Sequence, residues 1–90
     1  MYRIIGGRSQ GKTSRLLLLA KETGAVVVCS NPAKMREKAH FYGITGLDIV
    51  SYGDYTKRNY DINKPTFIDE LESYIKSLDN NFNGYTISEE

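Results

Sequence analysis

Lys12 and Thr13 stand side by side behind Gly11, and Gly6 lies five residues before that glycine. With Gly7, Arg8, Ser9 and Gln10 between the two glycines, the stretch reads G-x-x-x-x-G-K-[ST], the pattern of a loop that wraps phosphate groups. Each residue type has a job in that chemistry. Gly6 and Gly11 let the backbone turn tightly and bring amide N–H groups against phosphate oxygens, where a Cβ would collide. Lys12 carries a flexible point charge suited to β- and γ-phosphates, and the Thr13 hydroxyl can ligate Mg²⁺. A helix starting near Lys12 turns its positive end, and the amides up to Ser14, toward the same anion. Residues 6–14 therefore form the candidate nucleotide-binding segment.

A second pair suited to chemistry comes late. Pro65-Thr66-Phe67-Ile68 runs into Asp69-Glu70. A strand here delivers Asp69 to the end of a sheet, where it can hold the shell of a Mg²⁺ ion. Glu70 is then placed to orient or activate an attacking water. The competing reading makes Glu70 an ordinary residue at a helix start, favourable to the helix dipole and nothing more.

The elements that must position these groups follow from pattern. Tyr2-Arg3-Ile4-Ile5 reads as a short strand leading into the loop. Ser14 to Glu22 is rich in helix formers and stops at Gly24. Ala25-Val26-Val27-Val28-Cys29 is a continuous β-branched run, the mark of a strand buried on both faces of a parallel sheet, with Cys29 as a small core residue. Asn31 and Pro32 open a helix to about Tyr42, ending at Gly43. Lys34, Arg36 and Lys38 read as its solvated face, and His40 as structural.

Leu47 to Tyr52 predicts a third strand, and Gly53 to Lys64 a loop or short helix with Tyr55, Lys57, Arg58 and Tyr60. Those tyrosines could stack on a base or pack as a lid on the sheet. After Glu70, Leu71, Tyr74, Ile75 and Leu78 repeat at i, i+3, i+4, i+7, a helix with one apolar stripe. Tyr85 to Ser88 reads as a last strand. The whole is one domain over residues 1–90: an α/β fold with a parallel sheet of about five strands and helices on both faces.

Composition sets bounds. A hydrophobic share of 40% supports a thin core, because a domain of 90 residues buries only about two-thirds of its unfolded surface. A lone cysteine forms no internal disulfide, and no apolar run reaches membrane-spanning length. With the chain entering its first strand at once rather than through a signal peptide, the expectation is a cytoplasmic protein that spans no membrane. Net charge is +1, which argues against indiscriminate nucleic-acid binding but leaves a local contact open. The charge is uneven: residues 1–40 carry eight Lys/Arg against two Glu, and residues 69–90 one Lys against six Asp/Glu. Such asymmetry suits a homo-oligomer or a partner protein as well as clustering around phosphate and Mg²⁺.

With both motifs in place, the chain resembles a stripped-down P-loop NTPase, with Walker A at 6–13 and Walker B at 67–70. The Asp69-Glu70 pair resembles the branch with an extra catalytic glutamate, which includes RecA-like ATPases and helicases. The overall pattern is also similar to small bacteriophage P-loop proteins, which would place it in a host cytoplasm. By that resemblance the Tyr85–Ser88 strand inserts between the Walker A and Walker B strands, with Thr86 or Ser88 as a γ-phosphate sensor. It also implies ATP and Mg²⁺ as cofactors, Lys12 and Glu70 as catalytic residues, and Thr13 and Asp69 as metal ligands.

No N-K-x-D motif marks guanine recognition, since Asn63-Lys64 is followed by Pro65-Thr66. No arginine finger follows the second motif, and Arg8, Arg15, Arg36 and Arg58 stand as substitutes. The expectation is a slow Mg²⁺-dependent ATPase acting as a switch or as accessory to a nucleic-acid machine. A non-hydrolysing binding or inhibitory module, and a small nucleotide or nucleoside kinase, remain open.

Overall fold

The computed structural model describes residues 2–6 and 11–88. The first helix or strand among the described residues is helix α1 (Lys12–Thr23), which Gly24 ends in a left-handed conformation, φ 69°. Strand β1 (Val26–Cys29) follows and is buried along its whole length. Helix α2 (Pro32–Phe41) begins where Asn31 accepts the Lys34 amide on its side chain at 3.1 Å. Strand β2 (Asp48–Ser51) runs directly into the short helix α3 (Tyr52–Thr56), because Ser51 caps it by accepting the Asp54 amide. Strand β3 (Thr66–Ile68) and helix α4 (Leu71–Leu78) complete the set.

The sheet is parallel, in the order β2-β1-β3. Its centre is the all-apolar strand, which is why Val26, Val27 and Val28 are wholly buried. Alternate residues face opposite layers. Val27, Cys29 and Ile49 meet Leu16, Leu17 and Ala20 of α1 and Met35 and Ala39 of α2. Val26, Val28 and Val50 face the other way, under Tyr52, Tyr55, Tyr60 and Ile68. Tyr74 of α4 then joins that layer, its ring centroid 5.3 Å from Tyr52 and 5.5 Å from Tyr55. The tyrosines of the 52–60 region thus pack on the sheet, as one of their two readings had it.

Three strands are present among the described residues, not five. Tyr2–Ile5 and Tyr85–Ser88 carry no ladder, which corrects both terminal strands. The physical difference from β1 is burial. In the first segment only Ile4 reaches the core, while Tyr2 rests its ring on Phe67 and Ile5 is 79% exposed. In the last, Tyr85 stacks on Phe82 and donates its hydroxyl to the Glu72 carboxylate, so side chains hold the segment onto α4. With one apolar face half-solvated, such short runs gain too little from pairing to offset the loss of backbone entropy. The two segments do meet, through the Arg3 guanidinium donating to the Ser88 carbonyl at 3.1 Å. An inserted Tyr85–Ser88 strand is therefore not seen, and Thr86 and Ser88 lie exposed in an irregular segment.

The stripe on α4 also packs less than its spacing suggests. Tyr74 and Ile75 are half-buried, whereas Leu71 and Leu78 are exposed. No helix among the described residues is long and apolar enough to cross a membrane.

Candidate functional site

Parallel strands bring their C-terminal ends to one edge, and the candidate groups gather there. The Val28↔Ile68 register carries β3 one residue further, with the Asp69 amide donating to the Val28 carbonyl at 2.8 Å. The chain then turns sharply. Glu70 adopts φ 57°, ψ 69°, a left-handed conformation uncommon outside glycine. It sits at the N-cap of α4 but its side chain caps nothing. Instead its carboxylate reaches the Lys12 ammonium, Oε1 to Nζ 3.5 Å, across 58 residues of sequence. The plain helix-start reading of Glu70 does not account for that direction.

Lys12 opens α1, and the residue before it, Gly11, has φ 75°. An L-residue pays a steric penalty in that region, and a glycine brings no side chain to the first-turn amides, so their N–H groups stay available to an anion. The Ser14 hydroxyl donates back to the Gly11 carbonyl at 3.0 Å and buttresses this turn. Gly7, Arg8, Ser9 and Gln10 lie outside the described residues. Gly6 belongs to the irregular segment that leads into them.

Gly11, Lys12, Thr13 and Glu70 line a cavity of about 310 Å³ together with Lys38, Phe41 and Tyr42. Its size lies at the low end of the roughly 300–1,000 Å³ typical of small-molecule pockets. Asp69 stands half-buried beside it. Burial, and then the negative charge of Glu70, push its carboxyl above the usual range, while Lys38 and Lys12 pull the other way. Among the described residues no three His, Cys, Asp or Glu side chains cluster around a metal site. Mg²⁺ does not need such a cage, since one or two protein oxygens with phosphate and water suffice. Thr13 and Asp69 are the groups that would supply them.

Tyr52 supports this edge from the other layer. Its hydroxyl donates to the Asp69 carbonyl at 2.8 Å and lies 3.2 Å from the Glu70 carbonyl. Burial, then the Asp69 charge, push its pKa up to about 12, so it remains a donor through the neutral range. Cys29 at the same edge is buried and its thiol is likewise raised by burial, as befits a core residue.

The structure thus brings Gly11, Lys12, Thr13 and Glu70 onto one cavity, with Asp69 outside its lining but close enough to feel the charges of Glu70, Lys38 and Lys12. Of the substitute arginines, Arg36 donates to the Ile49 carbonyl at 3.2 Å and ties α2 to β2. Arg15 and Arg58 are exposed and do not line the cavity. Lys38 reads from sequence only as part of a solvated face, and nothing there singles out Phe41 and Tyr42; the spacing i, i+3, i+4 puts the three on one side of the helix but does not say what that side faces. Comparison with known protein families, with curated proteins and with solved structures finds no match.

Proposed function

We propose that this protein binds the phosphates of a nucleoside triphosphate with Mg²⁺ at the edge where β1 and β3 end, and hydrolyses it slowly. One observation carries the reading: Lys12 and Glu70, far apart in sequence, meet at 3.5 Å beside the first turn of α1. The Glu70 carboxylate engages the Lys12 ammonium. A phosphate oxygen would compete for that ammonium and release Glu70 toward the attacking water. The ion pair is partly solvated, so it is weak enough to exchange.

ATP is the nucleotide to test first, and a switch or an accessory to a nucleic-acid machine is the role that fits slow turnover. Among the described residues no arginine lines the cavity, so fast turnover would call for one beyond that lining. Such groups typically contribute about 10³–10⁵ in rate. The resemblance to P-loop NTPases of the catalytic-glutamate branch supports the same reading.

Mg²⁺-ATP should raise the melting temperature, by the equivalent of about 2.7 kcal/mol at a hundredfold excess over Kd. Lys12→Ala should remove most of that gain with the unliganded melt preserved. A wild-type melting temperature unmoved by saturating Mg²⁺-ATP would overturn the proposal. Phosphate release with ATP alone supports hydrolysis. Binding without turnover would make the chain a binding module, and acceptor-dependent transfer a kinase.

A further inference from the structure

The cavity is lined by two chemically different groups. One is Gly11, Lys12 and Thr13, with the positive end of α1. The other is Phe41, the last residue of α2, and Tyr42, its C-cap, with Lys38 one turn earlier on that helix. Phe41 is 84% exposed and Tyr42 48%. Neither belongs to the buried core, although Phe41 is among the largest apolar side chains in the protein. Their rings meet edge to face, centroids 5.4 Å apart at 81°, and form a corner with one flat wall and one edge. Core packing does not explain this pair.

We propose that the Phe41–Tyr42 corner is the platform for the base of the bound nucleotide, with the triphosphate at Lys12. This rests on the phosphate-binding reading above and adds where the base lies and how it is held. An aromatic ring stacks a flat heterocycle through its π-face, and this favours the large purines without reading their edges. Lys38, one turn before the corner, adds a second positive charge to the lining of the same cavity. A ligand that is flat and apolar at one end and polyanionic at the other matches both kinds of lining in one cavity. Inorganic polyphosphate matches only one.

The test compares Mg²⁺-ATP with Mg²⁺-tripolyphosphate by calorimetry in wild type, Phe41→Ala, the Phe41→Ala/Tyr42→Ala pair and Lys12→Ala. The wild type should favour ATP over tripolyphosphate by roughly 5- to 150-fold, the range that stacking one base supplies. The aromatic variants should lose that preference and keep their tripolyphosphate affinity, whereas Lys12→Ala should weaken both ligands. Since Phe41 is exposed, its truncation spares the core; Phe41→Leu, which fills space without a π-face, serves if alanine proves insoluble. Equal binding of the two ligands by wild type, or an ATP preference that survives in the double variant, would overturn the platform and leave the phosphate site standing. Failure of wild type to bind either ligand would overturn the phosphate reading, and the platform with it.

Discussion

Asp69 and Glu70 are neighbours with opposite environments. Glu70 is exposed and reaches Lys12, while Asp69 is half-buried and held above its usual pKa range, first by burial. A carboxyl raised on folding contributes stability that is present below its unfolded pKa and lost as pH rises through the folded one. At neutral pH the ionised Asp69 therefore costs the ligand-free protein stability. Asp69→Asn should raise the unliganded melting temperature at pH 7, close that gap under acid conditions, and weaken Mg²⁺-dependent nucleotide binding. A melting curve against pH, with and without Mg²⁺-ATP, reads all three. Glu70→Gln probes the other role: removing the charge frees Lys12, so affinity should hold or tighten slightly. Turnover should fall by about 10²–10⁴-fold if the carboxylate is the general base. Unchanged turnover would return Glu70 to a helix-start role.

At the scale of elements, the conformation of Glu70 hangs on Tyr52. The hydroxyl that starts α3 holds the two carbonyls at the end of β3, so one side chain couples the tyrosine layer to the site. Tyr52→Phe keeps the ring and removes that bond. It should cost about 0.5–1.5 kcal/mol in denaturant unfolding and reduce turnover more than nucleotide affinity, because the Asp69–Glu70 turn loses its brace. An intact rate would show that β3 alone holds the turn.

The helices were legible in sequence because their ends carry strong local signals: Gly24, the Asn31-Pro32 pair and Gly43 stop or start them within a residue or so. β1 was legible because four consecutive apolar residues leave no exposed face. The terminal strands were not, since Tyr2–Ile5 and Tyr85–Ser88 have strand composition but lack a partner that would bury both faces. Lys12 and the Asp69-Glu70 pair could be read by type and spacing. Phe41 and Tyr42 could not, because their place in the cavity depends on how α2 lies against α1, a tertiary fact that local pattern does not carry.

At the scale of the whole molecule, the three-stranded sheet of the described residues has β2 and β3 at its edges, and charge is divided between a basic first part and an acidic last one. Open edges and opposed charges favour association with a second copy or a partner protein. If charge drives self-association, sedimentation at low salt should show a dimer or larger species that dissociates as salt screens it. A monomer at high concentration and low salt, with and without Mg²⁺-ATP, would leave only a partner protein.

The layer formed by Tyr52, Tyr55, Tyr60 and Tyr74 has an optical consequence. The chain contains no tryptophan, and four of its seven tyrosines lie with successive ring centroids 5.2–5.5 Å apart. Rings that close couple their electronic transitions, so this cluster should contribute to the near-ultraviolet circular dichroism of the protein, beside the Phe41–Tyr42 and Phe82–Tyr85 pairs. Because Tyr52 also donates to the carbonyls of the Asp69–Glu70 turn, a change at the phosphate edge should reach that band, and a titration with tripolyphosphate, which does not absorb there, would show it.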